Sequence, residues 1–276
     1  MAAVALGVFG SLIGSFLNVV VYRVPAGRSV VSPPSACGSC GKQIRAVDNV
    51  PVLSWLALRG RCRTCSSVIS ARYPLVELGT AVLFTIVSLR FVPGVIGGPR
   101  AVGGALPFLS GTIVLLAFLY FAAISVALAL IDLDTQTLPN AIVLPAYLVG
   151  GGLLGAAGLM TGSVGSLVGA GLGAVALFAI YLVAALVRPG GMGFGDVKLA
   201  GVIGLFLGFL GPPQLLVGAF AAFVLGGLFS VGLLIARRAG RGSGIPFGPW
   251  MLAGAWVGIL AGAPIASFYL DLFGLN

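Results

Sequence analysis

Six acidic residues and no histidine limit the chemistry available to this chain of 276 residues. Asp132 and Asp134 stand at the end of one apolar run, and Asp196 stands at the start of another. Two carboxyls that are brought together can share one proton, so that one takes a proton from water while the other polarises a peptide carbonyl. Such a pair needs neither histidine nor a metal, and it would have to lie at the ends of the apolar segments.

Structural readings of the same acids stay open from the residues alone. Asp196 is a favoured residue type for a helix N-cap, and Lys198 could pair with it. Asp134 could simply face water. The glycine-rich segment 190–195 would let the backbone approach a bound peptide closely, which adds modest weight to a catalytic reading.

The four cysteines form two C-x-x-C pairs, and 21 residues separate Cys40 from Cys62. This spacing is typical of a zinc ion held by four thiolates, where the metal is structural because every ligand position is filled. A redox dithiol would need only one pair, and stable disulfides are rare in a cytoplasmic loop. We predict a structural zinc site formed by Cys37, Cys40, Cys62 and Cys65.

Composition places these residues in a membrane protein. The chain is 59% hydrophobic and only 8% charged, whereas soluble domains have about 25% charged residues. The net charge of +9 does not indicate nucleic-acid binding, because the basic residues lie between apolar runs, as topology signals do. We predict an all-α, polytopic transmembrane bundle with about eight spans: 2–22, 74–92, 107–131, 139–160, 165–187, 197–211 (short, and so tilted or broken), 214–236 and 247–272.

The basic residues predict the orientation of that bundle. Only Arg90 and Arg100 fall on the side opposite the first long loop, so this loop is expected to be cytoplasmic and both termini external. The first span lacks a basic segment before it, so we expect it to be retained. The basic residues on the loop side are Arg23, Arg28, Lys42, Arg45, Arg59, Arg61, Arg63, Arg72, Arg188, Lys198, Arg237, Arg238 and Arg241.

The chain divides into five parts, and no internal repeat is evident. We expect a first span (1–22), a cytoplasmic zinc-binding loop (23–73), a second span with an external loop (74–106), a core that holds the paired acids (107–211) and C-terminal spans (212–276).

An ordered set of motifs resembles the type IV prepilin peptidases, which are GxGD aspartyl proteases. The GxGD motif corresponds to Gly193–Leu199, and the other aspartate motif to Asp132–Asn140. The resemblance is colinear over about residues 7–205. Further matching segments are Gly14–Val20, Tyr22–Pro25, the paired cysteines, Asn49–Trp55 and Arg72–Leu78.

The resemblance implies a function. Such enzymes remove the basic leader of prepilins or pseudopilins after a glycine, at the cytoplasmic face of the bacterial inner membrane. Members with the cysteine loop commonly also methylate the new N-terminus with S-adenosylmethionine. No nucleic-acid partner is expected; the partners would be the substrates and the lipid bilayer.

By motif position, Asp132 and Asp196 match the catalytic pair, and Gly193 and Gly195 would adjust the loop around the peptide. Asp134 ranks as a neighbour. Glu77 is a candidate for contact with an amine, with an interfacial ion pair to Arg72 as its alternative. The competing functional hypothesis is a non-enzymatic transporter or assembly partner, whose acids would lie near the middle of the bilayer.

Overall fold

The computed structural model describes residues 1–96, 105–187, 192–236 and 246–275. These residues form α-helices, one 3-10 helix at Ala46–Asn49, and two isolated β-bridges in the loop after the first helix. The helices are α1 (Ala2–Arg23), α2 (Leu53–Ala57), α3 (Arg72–Ile96), α4 (Ala105–Thr135), α5 (Asn140–Thr161), α6 (Val164–Val187), α7 (Phe194–Leu210), α8 (Pro212–Ile235) and α9 (Gly248–Leu272).

Seven of these helices are long and apolar enough to cross a membrane, which confirms an all-α, multi-pass membrane bundle. The eighth long helix, α7, has 17 residues. At a rise of about 1.5 Å per residue it spans about 26 Å, slightly less than the hydrocarbon core of about 30 Å. It is a continuous helix within the bundle, so of the two alternatives for the sixth span, tilted or broken, the broken one is wrong.

Helices α4 and α7 form the centre of the bundle. Phe121 on α4 stacks on Phe206 on α7 with ring centroids 4.5 Å apart, and Phe118 meets the same ring edge-on at 5.5 Å. All three side chains are fully buried. This aromatic contact links α4 to α7, the two helices that carry Asp132 and Asp196.

Glycine pairs at a four-residue spacing let α7 approach α6 closely. An ideal Cβ at Gly208 of α7 would lie 3.2 Å from Gly173 Cα of α6, and one at Gly173 would lie 3.0 Å from Gly208 Cα. Any larger side chain would push the helices apart. Without a hydrophobic driving force in lipid, such close packing is one of the interactions that hold transmembrane helices together.

The N-terminal part of the bundle is the pair α1 and α3, joined by the loop that carries the cysteines. A Cβ at Gly10 would lie 2.7 Å from Phe84 Cβ, and one at Gly14 would lie 2.7 Å from Glu77 Cα. The close α1–α3 contact thus holds both ends of the cysteine loop together.

Several helix termini meet at one end of the bundle. Asp134 at the end of α4 pairs with Arg72 at the start of α3, and Asp132 is hydrogen-bonded to Gly248 at the start of α9. The start of α7 lies there too, because Asp196 and Asp132 line one cavity. Of the basic residues used for orientation, Arg100, Arg188, Arg237, Arg238 and Arg241 lie outside the described residues.

Candidate active site

Asp132 lies in the last turn of α4, and its side chain is almost fully buried, with 4% exposure. Helix α4 continues about one turn beyond the predicted end at residue 131 and ends at Thr135. That extra turn keeps Asp132 helical and inside the bundle. A buried carboxyl at the end of an apolar helix is costly and by default suggests function.

Asp196 lies in the first turn of α7 and is half-buried. The N-cap of this helix is Gly193, so the alternative that Asp196 itself caps the helix is wrong. Lys198 does not pair with Asp196 in the hydrogen bonds of the described residues: its Nζ donates to Asn140 Oδ1 at 3.0 Å and lies 5.1 Å from the centre of the Phe194 ring.

Both carboxyls line the same cavity, which has a volume of about 350 Å³. The two predicted glycines, Gly193 and Gly195, line it as well. A Cβ at Gly195 would lie 3.0 Å from Leu138 Cβ, so this glycine lets the turn before Asp196 pack against the α4–α5 connection. The other lining residues are Gln136, Thr137, Leu138, Asn140, Phe194 and Lys198.

Asp134 lies outside that lining, although it is only two residues from Asp132. Arg72 donates two hydrogen bonds to its carboxylate, at 2.9 and 2.6 Å. Both side chains are about 40% exposed. The pair links the start of α3 to the end of α4, so the alternatives that Asp134 faces only water and that Arg72 pairs with Glu77 are both wrong.

Replacing Asp134 should therefore have a small effect on any chemistry of the cavity. Exposed ion pairs contribute about 0.2–1 kcal/mol, so Asp134→Asn should change the rate of substrate cleavage by no more than a few-fold. The comparison of initial rates for the wild-type protein and Asp134→Asn in one detergent preparation measures this. A loss comparable to that from removing a cavity carboxyl would place Asp134 in the chemistry.

Glu77 contacts the cysteine loop. Its side chain is 9% exposed, and Oε2 accepts a hydrogen bond from the Val52 backbone N–H at 2.7 Å. Val52 has φ of 60°, which a β-branched residue rarely adopts. Glu77 therefore holds a strained turn before α2, which sequence reasoning did not foresee because residues 52 and 77 lie far apart along the chain.

The four cysteines come together in the loop, with all Sγ atoms within 4.8 Å of one another. Each C-x-x-C pair is a tight turn in which the first cysteine N–H donates across the turn, at 2.9 Å for both Cys37 and Cys62. The Sγ atoms of Cys37 and Cys65 are 3.8 Å apart. Tetrahedral zinc with Zn–S bonds of about 2.3 Å requires S–S separations of about 3.8 Å, so these four side chains could hold a metal ion.

Neighbouring donors lower the pKa of two thiols in this cluster, Cys37 and Cys65. The backbone N–H of Cys40, and then the hydroxyl of Ser67, lower the pKa of Cys37 to about 5. The N–H of Lys42 lowers the pKa of Cys40, but the hydrogen bond with Cys65, burial and the neighbouring Cys37 together outweigh it and raise that pKa to about 11. A bound cation would displace this last proton, because metal ligation requires the thiolate.

Sequence reasoning missed one residue that contacts the paired acids. The backbone N–H of Gly248 donates to Asp132 Oδ2 at 3.0 Å. The residues are 116 positions apart, and glycine followed by proline at the start of a helix carries no signal of such a contact.

Fold and site together define a class: multi-pass helical membrane proteins with two carboxyls at the ends of apolar helices and a four-cysteine loop. Residues 8–91 match the bacterial Peptidase A24 N-terminal domain, and residues 119–231 match the type IV leader peptidase family. The chain belongs to the type IV leader peptidase family, as the sequence resemblance predicted.

Its relatives include proteins named prepilin leader peptidase/N-methyltransferase. The protein of Pseudomonas putida is 38% identical over 97% of this chain and 93% of its own length. That of Aeromonas salmonicida is 36% identical over 95% and 92%, and that of Pseudomonas aeruginosa is 34% identical over 97% and 93%. No solved structure matches this chain significantly.

Proposed function

We propose that this chain is a membrane-embedded aspartyl endopeptidase of the bacterial inner membrane. It removes the basic leader from type IV prepilins or pseudopilins at the cytoplasmic face and N-methylates the new N-terminal residue. Family membership supports the activity. The observation that carries the assignment of residues is that Asp132 and Asp196, which are far apart along the chain, line one cavity.

The chemistry follows from two carboxyls around one water molecule. The ionised carboxyl takes a proton from water, and the resulting hydroxide attacks the carbonyl carbon of the scissile peptide bond. The protonated carboxyl donates to the carbonyl oxygen. The tetrahedral intermediate is then a geminal diol. When it collapses, the C–N bond breaks, the carboxyl that took the proton from water gives it to the leaving nitrogen, and the other carboxylate takes a proton back from a hydroxyl of the diol. The pair then returns to its starting state with one proton shared.

The position of the cavity suits a substrate with an apolar helix. Asp132 ends α4 and Asp196 begins α7, so the peptide bond would be cut where a bilayer helix meets water. We assign this end of the bundle to the cytoplasm, because Arg23, Arg72 and Lys198 lie at the ends of α1, α3 and α7 on the loop side. A basic leader would then remain in water while the helix stays in lipid.

We propose zinc as the metal of the cysteine loop and S-adenosylmethionine as the methyl donor. The sulfur spacing and the Ser67 hydroxyl, 3.2 Å from Cys65 Sγ, fit a closed thiolate site with an outer hydrogen bond. Such a zinc ion stabilises the loop and takes no part in cleavage. We assign methyl transfer to the part of the chain that includes this loop, and no residues are assigned to the donor.

The alternative function, a transporter, receives less support. Proton or ion relays place acids near the middle of the bilayer. In this chain, Asp48 lies in the cysteine loop, and the other acids lie within two turns of a helix end. Asp132, Asp196 and Asp271 are examples of the second group. No specific observation favours transport.

Incubation with a model substrate tests the proposed function. The purified protein in detergent is mixed with a peptide that has a basic leader, a glycine and an apolar helix, together with S-adenosylmethionine. Mass spectrometry should find cleavage after the glycine and a methyl group on the new amine. An intact peptide, with folded and zinc-loaded protein, would contradict the proposal; cleavage without methylation would restrict it to the peptidase.

A further inference from the structure

The first residue of α9 reaches into the site described above. Gly248 is buried, and its N–H lies 3.0 Å from Asp132 Oδ2. Pro249 follows it and has no N–H of its own. The next two N–H groups, of Trp250 and Met251, donate to Phe247 O at 3.0 and 3.1 Å. In the first turn of α9, the Gly248 N–H is therefore the group that points at the Asp132 carboxyl.

Only glycine permits this approach. An ideal Cβ at position 248 would lie 2.7 Å from Asp132 Oδ2 and 3.3 Å from its Cγ. Such separations are shorter than ordinary contacts, so a methyl group would displace the carboxyl or the helix. The same Cβ would also lie 3.4 Å from Leu138 Cδ2, and Leu138 already packs against Gly195 in the turn before Asp196.

Helix α9 is not free to move away from that contact. A Cβ at Gly254 would lie 2.7 Å from Ala222 Cα on α8, and the Trp256 ring lies 5.5 Å from Phe121 on α4. The helix is thus fixed to both neighbours within a few turns of Gly248. The carboxyl is the part that would have to shift.

We infer that Gly248 is a positioning residue for the peptidase reaction, and this inference rests on the proposed function. Its N–H holds Oδ2 of Asp132, and this fixes how the carboxyl presents its other oxygen to the cavity. The site therefore depends on α9, which lies outside residues 119–231 that match the peptidase family. The predicted core at 107–211 would lack this contact.

The variant Gly248→Ala tests the inference in the full chain. A misplacement of about 1 Å can reduce catalysis about 10²-fold, so kcat for the model substrate should fall about a hundredfold. KM should change little, because Gly248 is not among the residues that line the cavity. A second readout is labelling of Asp132 by a carbodiimide in membranes, followed by peptide mass spectrometry; it should rise when the carboxyl is expelled from its hydrogen bond.

Gly262→Ala is the matched control on the same helix: a Cβ there would lie 2.7 Å from Gln214 Cα of α8, and at a rise of about 1.5 Å per residue Gly262 lies about 21 Å along α9 from Gly248. It disturbs the packing of α9 against α8 and should lower the thermal unfolding temperature, but it should leave the labelling of Asp132 as in the wild-type protein. Gly248→Ala should instead raise the labelling of Asp132 and leave the thermal unfolding temperature close to that of the wild-type protein.

The outcomes separate the two proposals. Cleavage by the wild-type protein with unchanged kcat and unchanged Asp132 labelling in Gly248→Ala overturns the inference alone. A fall in kcat that Gly262→Ala reproduces, without a change in labelling, overturns it as well. If the wild-type protein cleaves no substrate, the proposed function fails, and the labelling of Asp132 still decides whether Gly248 positions that carboxyl.

Discussion

Asp132→Asn and Asp196→Asn should each abolish cleavage of a prepilin-like substrate while the protein still inserts and folds. Asparagine keeps the size of the side chain, so the packing around Asp132 is preserved. It can neither take a proton from water nor return one to the leaving amine. Proton transfer by a positioned side chain contributes about 10²–10⁴-fold, and a pair that acts as one unit loses its function when either member is removed.

The measurement is the rate of product formation by mass spectrometry, with protein amount and thermal unfolding temperature recorded for every variant. Asp134→Asn is the matched control, because Asp134 lies on the same helix end but pairs with Arg72 outside the cavity. Near wild-type cleavage by either Asp132→Asn or Asp196→Asn would refute the assignment of the catalytic pair.

Loss of one cysteine should remove the metal and disorder the loop. The loop from residue 24 to 71 has few buried side chains, and a structural zinc contributes about 10–16 kcal/mol of apparent binding energy in small domains. In Cys37→Ser, zinc measured by elemental analysis should fall below that of the wild-type protein, and limited proteolysis should cut within the loop. Methylation should fall more than cleavage, because the carboxyls of the cavity lie on α4 and α7, outside the loop.

Ser39→Ala is the control for this variant, since Ser39 stands inside the first C-x-x-C turn and is not a ligand. It should keep zinc and an intact loop. Purified wild-type protein without zinc would count against a metal site, and equal losses of methylation and cleavage would count against a separate role for the loop.

Sequence patterns were sufficient to predict the long helices and their order, but not the short α2 in the cysteine loop. Long apolar runs have few alternatives in a bilayer, so the predicted spans differ from the helices mainly at the ends. Those ends matter: α4 extends past residue 131 to Thr135, and α7 begins at Phe194 rather than at 197. As a result, Asp132 and Asp196 both lie inside helices. A helix can extend beyond its apolar residues when tertiary contacts cover the polar residue that follows.

Specific polar partners could not be predicted. Arg72 pairs with Asp134 across 62 positions, and Val52 with Glu77 across 25. Local sequence favours the nearer partner, Arg72 with Glu77, but Glu77 is occupied by the backbone of the cysteine loop. The contact between Gly248 and Asp132 is even harder to predict from the sequence, because it is made by a backbone N–H group, which almost every residue type has. Such pairings depend on how helices pack, which no local pattern encodes.

The proximity of the two acids can be measured directly by thiol cross-linking in membranes. Asp132→Cys combined with Asp196→Cys should be joined by a short bifunctional thiol reagent, with the linked peptides identified by mass so that the native cysteines are distinguished. Asp134→Cys combined with Asp196→Cys should give little of that product. Efficient linkage of the first pair is the predicted result; its absence, or equal linkage of the second pair, would contradict a site in which Asp132 and Asp196 face one another.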